Sequence, residues 1–378
     1  MKKLLLLLLV CLSYSIVSAQ DTDDLLNKLV EKNVLTQSEA DELRKSSSKE
    51  QKSTFSQTTE KVRNIFNSPY IQIGGNGQLM YQYTDGKRVH NDFKAKNLFL
   101  SVNGRLNESF RYGFLLEMTN PSVQEFWAEW TAATEFNLKV GQFKSPFTLE
   151  SQLVPATLET AAYSRTIANL VGYAGEDDTM KKQNNKNNFG RDAGIMASGE
   201  LVSLPAGHNL IQYSVGLFQG TGVTTGEVNN TKDLAAMILF QPVKGLRVGG
   251  GTYQGEVYYN NVDHVRNRWF VSADYKADCF YARSEWLRAN DGGTDKEGMY
   301  LLGLYYLVPK KLNALAKFDY YNQNKSVNKE AKDYTVGFNY YFYPQCRIQL
   351  NYTYSDYSKK WDLGGANNTV FAQLQIGF

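Results

Sequence analysis

Residues 346–357 read CRIQLNYTYSDY, a stretch in which apolar or aromatic side chains alternate with polar ones. Ile348, Leu350, Tyr352 and Tyr354 occupy every second position. Successive side chains of a β-strand point to opposite faces of its sheet. This spacing therefore predicts a strand with one apolar and one polar face.

The same alternation recurs from Tyr70 to the end of the chain and predicts about sixteen strands, separated by clusters of Gly, Asn, Asp and Lys. The predicted segments are 71–83, 93–106, 109–119, 123–133, 136–143, 191–201, 209–219, 232–241, 246–258, 266–275, 279–288, 297–307, 312–322, 332–342, 346–357 and 368–378. Fourteen or eighteen strands also fit the pattern. An antiparallel barrel of about sixteen strands encloses an aqueous channel.

The first 19 residues have the features of a secretory signal peptide. Lys2 and Lys3 precede an apolar run, and residues 17–19, VSA, fit a cleavage site. We expect residues 1–19 to be removed. A lipoprotein signal at Cys11 is the alternative, but a Val precedes that Cys and the apolar stretch continues beyond it.

The composition favours a membrane barrel over a soluble β-sandwich, which also alternates. After the signal peptide no apolar run approaches the roughly 20 residues of a membrane helix. Aromatic residues make up 13% of the chain, and 25 of them are Tyr, which suits a membrane–water interface. The final strand, with Leu374, Ile376 and Phe378 on one face, resembles the signal read by outer-membrane assembly machinery. We therefore predict an all-β transmembrane antiparallel β-barrel over residues 70–378, in the outer membrane of a Gram-negative bacterium.

Residues 20–69 differ from the barrel and predict a periplasmic helical segment followed by a polar linker. Leu25 and Leu29 begin an apolar stripe at helical spacing, and residues 45–61 are rich in Ser, Thr, Gln and Lys. The helical part is either a small surface hairpin or a coiled-coil or docking element, and both interpretations stay open.

One predicted connection is far longer than the others. Residues 145–189 carry no strand pattern, and loops of this length are usually functional or disordered. We expect this loop to fold inward and narrow the pore. Arg165, which lies in its less polar part, is the best candidate for the constriction.

Eight basic residues fall on the predicted lumen face, where they would replace part of the hydration shell of an anion. They are Arg105, Arg111, Lys139, Arg247, Arg268, Arg283, Lys317 and Arg347. Six acidic residues fall on the same face: Glu117, Glu125, Glu129, Asp274, Glu285 and Asp319. The two sets either form an anion path or cancel and only set a transverse field, and the sequence leaves both interpretations open.

Residues 140–150 read VGQFKSPFTLE, which resembles the hallmark of the phosphate-selective porin O and P family. Three further stretches resemble parts of that family: EFWAEW at 125–130, YSR at 163–165 and GRDAG at 190–194. The likeness covers most of the mature chain, and the motif around 141–147 is its specific part.

The resemblance implies a barrel of about sixteen strands, a homotrimer and the passage of phosphate, polyphosphate or other small anions. By position it implies anion-binding roles for Lys144, Arg165 and Arg191, with Lys139 on the adjoining lumen face. The loop departs from the family pattern, because it lacks the dense series of Arg and Lys expected of a strict phosphate filter.

Three functions from different classes were compared. The leading hypothesis is a passive diffusion channel for small hydrophilic solutes with a preference for anions such as phosphate. The alternative is a barrel plugged by its long loop that acts as a surface receptor or adhesin. The third, a membrane-embedded hydrolase, needs a Ser–His pair on the lipid-facing rim, which the predicted strands do not supply.

The remaining inventory predicts no enzyme, no cofactor and no metal site. None of the three His residues, His90, His208 and His264, lies in a nucleophile–base context, and no metal-binding or nucleotide-binding spacing occurs. Removing Lys2 and Lys3 lowers the formal net charge from +3 to +1, which argues against nucleic acid as a partner. No disulfide is predicted between the two Cys residues of the mature chain, at 279 and 346.

Overall fold

The computed structural model describes residues 36–38, 41, 67–86, 89–171, 190–224, 226, 229–259, 261–361 and 365–378. The chain divides into two units, residues 1–68 and 69–378. In the first unit, Gln37, Ser38 and Asp41 are helical and β1 spans Asn67–Ser68. The predicted signal peptide and most of the predicted helical segment and linker lie outside the described residues.

The second unit contains sixteen long strands within its described ranges. They are β2 (Ile71–Thr84), β3 (His90–Arg105), β4 (Phe110–Glu117), β5 (Ser122–Ala133), β6 (Phe136–Lys144), β7 (Arg191–Leu204), β8 (His208–Phe218), β9 (Asp233–Val243), β10 (Leu246–Tyr259), β11 (Val262–Lys276), β12 (Phe280–Asp291), β13 (Thr294–Val308), β14 (Leu312–Asn324), β15 (Lys329–Tyr343), β16 (Cys346–Tyr357) and β17 (Gly365–Gly377). Each corresponds to one predicted segment to within four residues at either end. The prediction of about sixteen strands is confirmed.

Two short helices, α1 (Leu149–Gln152) and α2 (Arg165–Leu170), lie in the connection between β6 and β7. No helix within the described ranges is long and apolar enough to cross a membrane. Both Cys residues of the barrel are unbridged: Cys279 is exposed and Cys346 is buried.

Every long strand pairs antiparallel with its neighbours in the sequence, and β17 pairs with β2 to close the barrel. This seam extends from Thr369 opposite Thr84 to Gly377 opposite Asn76. At its end Gly75 and Phe378 exchange two backbone hydrogen bonds, of 3.2 and 3.0 Å. Closure gives every barrel strand two hydrogen-bonded neighbours and leaves no open edge.

The alternation seen in the sequence separates the two faces of the barrel wall. On β16, Ile348 and Leu350 are about half exposed on the outer surface, whereas Gln349 and Asn351 are almost fully buried inside. The outer face is apolar around the barrel, and the inner face is mostly polar apart from an apolar cluster that includes Phe218, Phe270 and Leu287. Such an outer face suits lipid, and such an inner face suits a water-filled lumen.

The two ends of the barrel differ in their connections. Short turns, such as those at 134–135, 244–245 and 344–345, lie at the end that carries both termini of the second unit. The longest connections, at 85–89, 145–190, 219–232 and 358–364, lie at the opposite end. Bacterial barrels have short periplasmic turns and longer extracellular loops, so the short-turn end is the periplasmic one.

Candidate functional site: the lumen and its inward loop

The connection between β6 and β7 folds into the lumen over its described residues, 145–171. Phe147, Leu158 and Ile167 of this connection are at most 2% exposed. The ring of Phe147 packs edge-on against that of Phe270 on β11, with the centroids 5.2 Å apart. The connection is thus a packed part of the barrel interior and is called the inner loop below.

The start of the inner loop is fixed to the wall through the first turn of α1. The carboxylate of Glu285, on β12, accepts hydrogen bonds from the backbone N–H groups of Leu149 and Glu150, at 2.6 and 2.8 Å. Thr148 caps the same turn, and its hydroxyl accepts from the N–H of Ser151 at 3.3 Å. The first N–H groups of a helix have no partner within it, so these acceptors satisfy them.

Farther along, wall side chains hold the main chain of the inner loop. Arg347 donates to the carbonyl of Leu158 at 2.8 Å, Asn339 to that of Glu159 at 2.9 Å and Gln375 to that of Ala156 at 3.1 Å. The amide oxygen of Asn351 accepts from the N–H of Ala161 at 2.6 Å. Buried backbone groups need such partners, and here the strands β15, β16 and β17 supply them.

These hydrogen bonds are confined to part of the wall. Within the described residues, those of 149–170 reach β2, β3, β6, β11, β12 and β14–β17, but not β4, β5, β8 or β9. The inner loop also belongs to an apolar cluster that includes Phe218 of β8 and Tyr253 of β10, so it lies against much of the wall. The lumen-facing side chains of β4 and β5 remain free of hydrogen bonds to the described part of the inner loop.

Arg165, the predicted constriction residue, lies at the start of α2 and is paired with a carboxylate. Its Nε and Nη2 donate to the two oxygens of Asp333 at 2.7 and 2.8 Å, and Nη2 also donates to the hydroxyl of Tyr357 at 2.8 Å. Two parallel bonds of this kind form the strongest ordinary contact between Arg and a carboxylate. Arg165 therefore anchors α2 to β15 and β16.

Lys144 and Arg191 are direct partners across β6 and β7, at the two ends of the inner loop. The ammonium of Lys144 donates to the carbonyls of Ser151 and Leu153, at 2.6 and 2.5 Å. The guanidinium of Arg191 is fully buried and donates to Glu125 at 2.8 Å. The two cations fix the entry and exit of the inner loop.

Arg268 and Arg283 are likewise buried and paired. Arg268 donates to both oxygens of Asp291 at 2.8 Å and to the carbonyl of Leu170. Arg283 donates to Glu159 at 2.8 and 3.0 Å and lies 3.4 Å from Glu150. Burial and carboxylate partners make these two Arg residues clamps between the wall and the inner loop.

Arg105, Arg111 and Lys139 do not contact the inner loop in this way. They form one row across the lumen face of β3–β6. Arg105 on β3 opposes Arg111 on β4, Arg111 opposes Glu129 on β5, and Glu129 opposes Lys139 on β6. Glu129 lies 3.3 Å from Arg111 and 3.5 Å from Lys139. This row, near the periplasmic end, is called the basic row.

The charges of the basic row differ in their access to water. The side chains of Arg111 and Lys139 are 40% and 19% exposed, whereas that of Glu129 is 10% exposed. Arg105 lies exposed at the end of β3. Lys139 also lies over the ring of Trp127, 4.2 Å from its centroid. A solute that passes this wall therefore meets three cations and one largely covered carboxylate.

Lys96 is a lumen cation that sequence reasoning missed. Its ammonium donates to the carbonyl of Ala161 in the inner loop and to Gln373 at 3.3 Å. The register of β2 and β3 shifts here, because Asn97 opposes Gln78 and Ala95 opposes Leu79. The resulting bulge leaves Lys96 without a direct partner and redirects its side chain, which a strict period of two does not predict.

The other residues named from the sequence are also placed. Arg247 is paired with Asp274, with bonds of 2.9 and 2.5 Å. Lys317 donates to the hydroxyl of Thr160 and the carbonyl of Ala162, at 3.3 and 3.4 Å. Within the described part of the chain no three His, Cys, Asp or Glu residues are grouped so that they could hold a metal ion.

A closed sixteen-strand barrel with an apolar outer face, a polar lumen and an inward loop defines a diffusion channel of the outer membrane of Gram-negative bacteria. The chain belongs to the phosphate-selective porin O and P family, whose model matches residues 71–231 and 252–378. That family and this fold are those of channels, not of enzymes.

Solved structures of porins have the same fold. The anion-selective porin from Comamonas acidovorans is similar with a TM-score of 0.63 and 12% identity, over 82% of this chain and 99% of that one. Salmonella typhi OmpF, in complex with daunomycin, has a TM-score of 0.58 and 10% identity, over 82% and 97%. OmpT of Vibrio cholerae, in its trimer form, has a TM-score of 0.52 and 14% identity, over 81% of this chain and 100% of that one. No curated protein sequence matches the chain.

Proposed function

We propose that this porin prefers small anions, phosphate among them, and that the basic row sets this preference. The row is the observation that carries the proposal, because Arg105 is exposed, Arg111 and Lys139 are partly exposed, and Glu129 between them is largely covered. Cations that line a low-dielectric channel raise the local concentration of anions and replace part of their hydration.

The other lumen cations have a positioning role in this proposal. Arg165, Arg268 and Arg283 are neutralised by carboxylates, and Lys144 and Arg191 fix the ends of the inner loop. The described part of the inner loop makes no hydrogen bonds to β4 or β5, so in this proposal solutes pass beside these strands and along the basic row. Its expected full extent, 145–189, exceeds the described residues.

The functional assembly in this proposal is a homotrimer in the lipid bilayer of the outer membrane. Support comes from the trimer form of the similar Vibrio cholerae OmpT. Each barrel then acts as its own passive pore for small hydrophilic solutes, without a cofactor and without catalysis.

The first test is the zero-current potential of the purified protein in a planar bilayer across a KCl gradient, with and without added phosphate. We expect the zero-current potential to have the sign that a higher permeability for chloride than for potassium produces. We also expect added phosphate to reduce the chloride current. A potential near zero in both conditions would contradict the anion preference. The absence of any stable conductance would instead favour the barrel plugged by its loop, acting as a receptor or adhesin.

A further inference from the structure

A second feature of the lumen lies away from the basic row. A cavity of about 440 Å³ opens between residues 160–169 of the inner loop and the inner faces of β14–β17 and β2. Its volume lies within the range of about 300–1,000 Å³ that is usual for small-molecule sites. The basic row contributes no residue to its lining.

Four Thr residues on neighbouring strands form the floor of this cavity. Thr335, Thr353, Thr369 and Thr84 are successive direct partners across β15, β16, β17 and β2. The hydroxyls of Thr335 and Thr353 are 2.8 Å apart, and those of Thr84 and Thr369 are 3.0 Å apart. Each bonded pair uses one of its two protons, so each pair keeps a donor and several acceptor sites for a ligand.

The lining also includes amide groups and the aromatic side chains of His90, Tyr163, Tyr357 and Phe371. Asn169 and Asn367 are 3% and 5% exposed, and their amide oxygens are buried without a hydrogen-bond partner. Both oxygens are almost closed to solvent, so the Thr hydroxyls, rather than these two oxygens, are the groups that a ligand in the cavity can reach. Phe371, on the lumen face of β17 between Asn351 and Gln82, offers an apolar surface in the same cavity.

The charges in the lining balance. Arg165 lies 2.7 Å from Asp333, and Lys317 lies two residues from Asp319 on β14, with all four lining the cavity. These two cations and two carboxylates carry no net formal charge. The cavity therefore offers an anion little electrostatic stabilisation beyond that of water. Neutral hydrogen-bond donors and acceptors determine which ligands bind.

We propose that this cavity binds neutral polyhydroxylated solutes, such as small sugars, as they pass through the channel. The hydroxyls of a sugar are donors and acceptors together and would exchange water for the Thr hydroxyls at little cost. The apolar C–H face of a sugar ring would pack against Phe371. The binding uses residues other than those of the basic row, so it does not depend on the anion preference.

The test is sugar-dependent current in planar bilayers that contain the full-length mature protein, with maltose as the probe. We expect maltose to reduce the KCl conductance in a saturable way. In the double variant T335V/T353V, which keeps the shape and loses two hydroxyls, we expect about a tenfold higher maltose concentration for half of the effect. The variant T335S/T353S, which restores the hydroxyls, should behave like the wild type.

Thr157 supplies the matched control, because its exposed hydroxyl lies in the inner loop, outside the cavity lining, and bonds only to the carbonyl of Val154. T157V should leave the maltose effect unchanged. The zero-current potential should be the same in all variants, since no charge is altered. A conductance that maltose does not change in a saturable way, or an equal maltose effect in T335V/T353V and wild type, would overturn the proposal.

Discussion

Arg165 and Asp333, which are 168 residues apart in the sequence, are joined by two parallel hydrogen bonds inside the barrel. The pair ties α2 of the inner loop to β15, and the exposed fractions of the two side chains are 17% and 11%. The carboxylate thus neutralises Arg165 and fixes the position of the inner loop at the same time. A variant that removes the charge of Asp333 tests both effects, because the charge balance and the attachment of the inner loop can be measured separately.

The variant D333N keeps the shape of Asp333 and removes its charge. We expect the attachment of α2 to weaken by about 1.5 kcal/mol, the low end for a hydrogen bond to a charged group, because both side chains keep some contact with water. Open-channel current noise should rise, and the zero-current potential should shift toward anions as Arg165 becomes unpaired. D278N, at an exposed turn residue, is the control and should change neither quantity.

The triple variant R105Q/R111Q/K139Q removes the cations of the basic row while keeping side chains of similar length. We expect most of the anion preference to disappear, so that the zero-current potential in a KCl gradient approaches that of an uncharged pore. K311Q, in an exposed periplasmic turn outside the lumen, should retain the wild-type potential. An unchanged preference in the triple variant would assign selectivity to other lumen groups.

Gly75 lies at the seam of the barrel, where a larger residue cannot fit without movement. A Cβ at this position would lie 2.8 Å from the carbonyl oxygen of Phe99 and 2.9 Å from the ring of Phe378. We expect G75A to destabilise the folded barrel by about 1–3 kcal/mol, as overpacking usually does. The measurement is the temperature at which the folded form unfolds on a gel.

G303A is the matched control for the seam, because a Cβ at Gly303 would meet nothing within 4 Å. Its unfolding temperature should equal or slightly exceed that of the wild type. Equal unfolding temperatures for G75A and the wild type would mean that the seam adjusts without cost.

Asp85 gives the extracellular end of the seam a dependence on pH. The hydrogen bonds from the backbone N–H and the side-chain amide of Asn368 lower the pKa of this carboxyl below 3.8. The ionised Asp85 carboxylate therefore stabilises the folded barrel fully above the ordinary pKa of about 3.9. This stabilisation is lost as the pH falls through the lowered pKa.

We expect an NMR titration of the Asp85 carboxyl to have a midpoint below 3.8. D85N should remove the corresponding part of the acid dependence of thermal unfolding below about pH 4. A midpoint for Asp85 at or above the ordinary value of about 3.9 would contradict the prediction.

The strands could be predicted from the sequence because lipid on one side and water on the other impose a period of two on every strand. Ile348, Leu350 and Tyr352 of β16 follow that rule. The bulge at Lys96 breaks the rule locally, and the sequence carries no marker for it. The fold was therefore predictable and the orientation of Lys96 was not.

The partners of the lumen charges could not be predicted. Which carboxylate meets Arg165 or Arg283 depends on the register of strands far apart in the sequence and on the course of the inner loop. The sequence left open whether the basic residues form an anion path or cancel. The geometry divides most of them into the partly exposed basic row, which shares Glu129, and a set of clamps on the inner loop; Arg247 is paired with Asp274 outside both sets.

The clamps on the inner loop bind mostly its backbone. Arg347 contacts the carbonyl of Leu158, Asn351 the N–H of Ala161 and Gln375 the carbonyl of Ala156, and every amino acid except proline offers these groups. These wall side chains therefore bind the backbone of the inner loop, and their hydrogen bonds do not depend on which side chains residues 156–161 carry. Substitutions in this part of the loop can accumulate while its attachment persists, so that evolution can change which solutes pass without rebuilding the barrel.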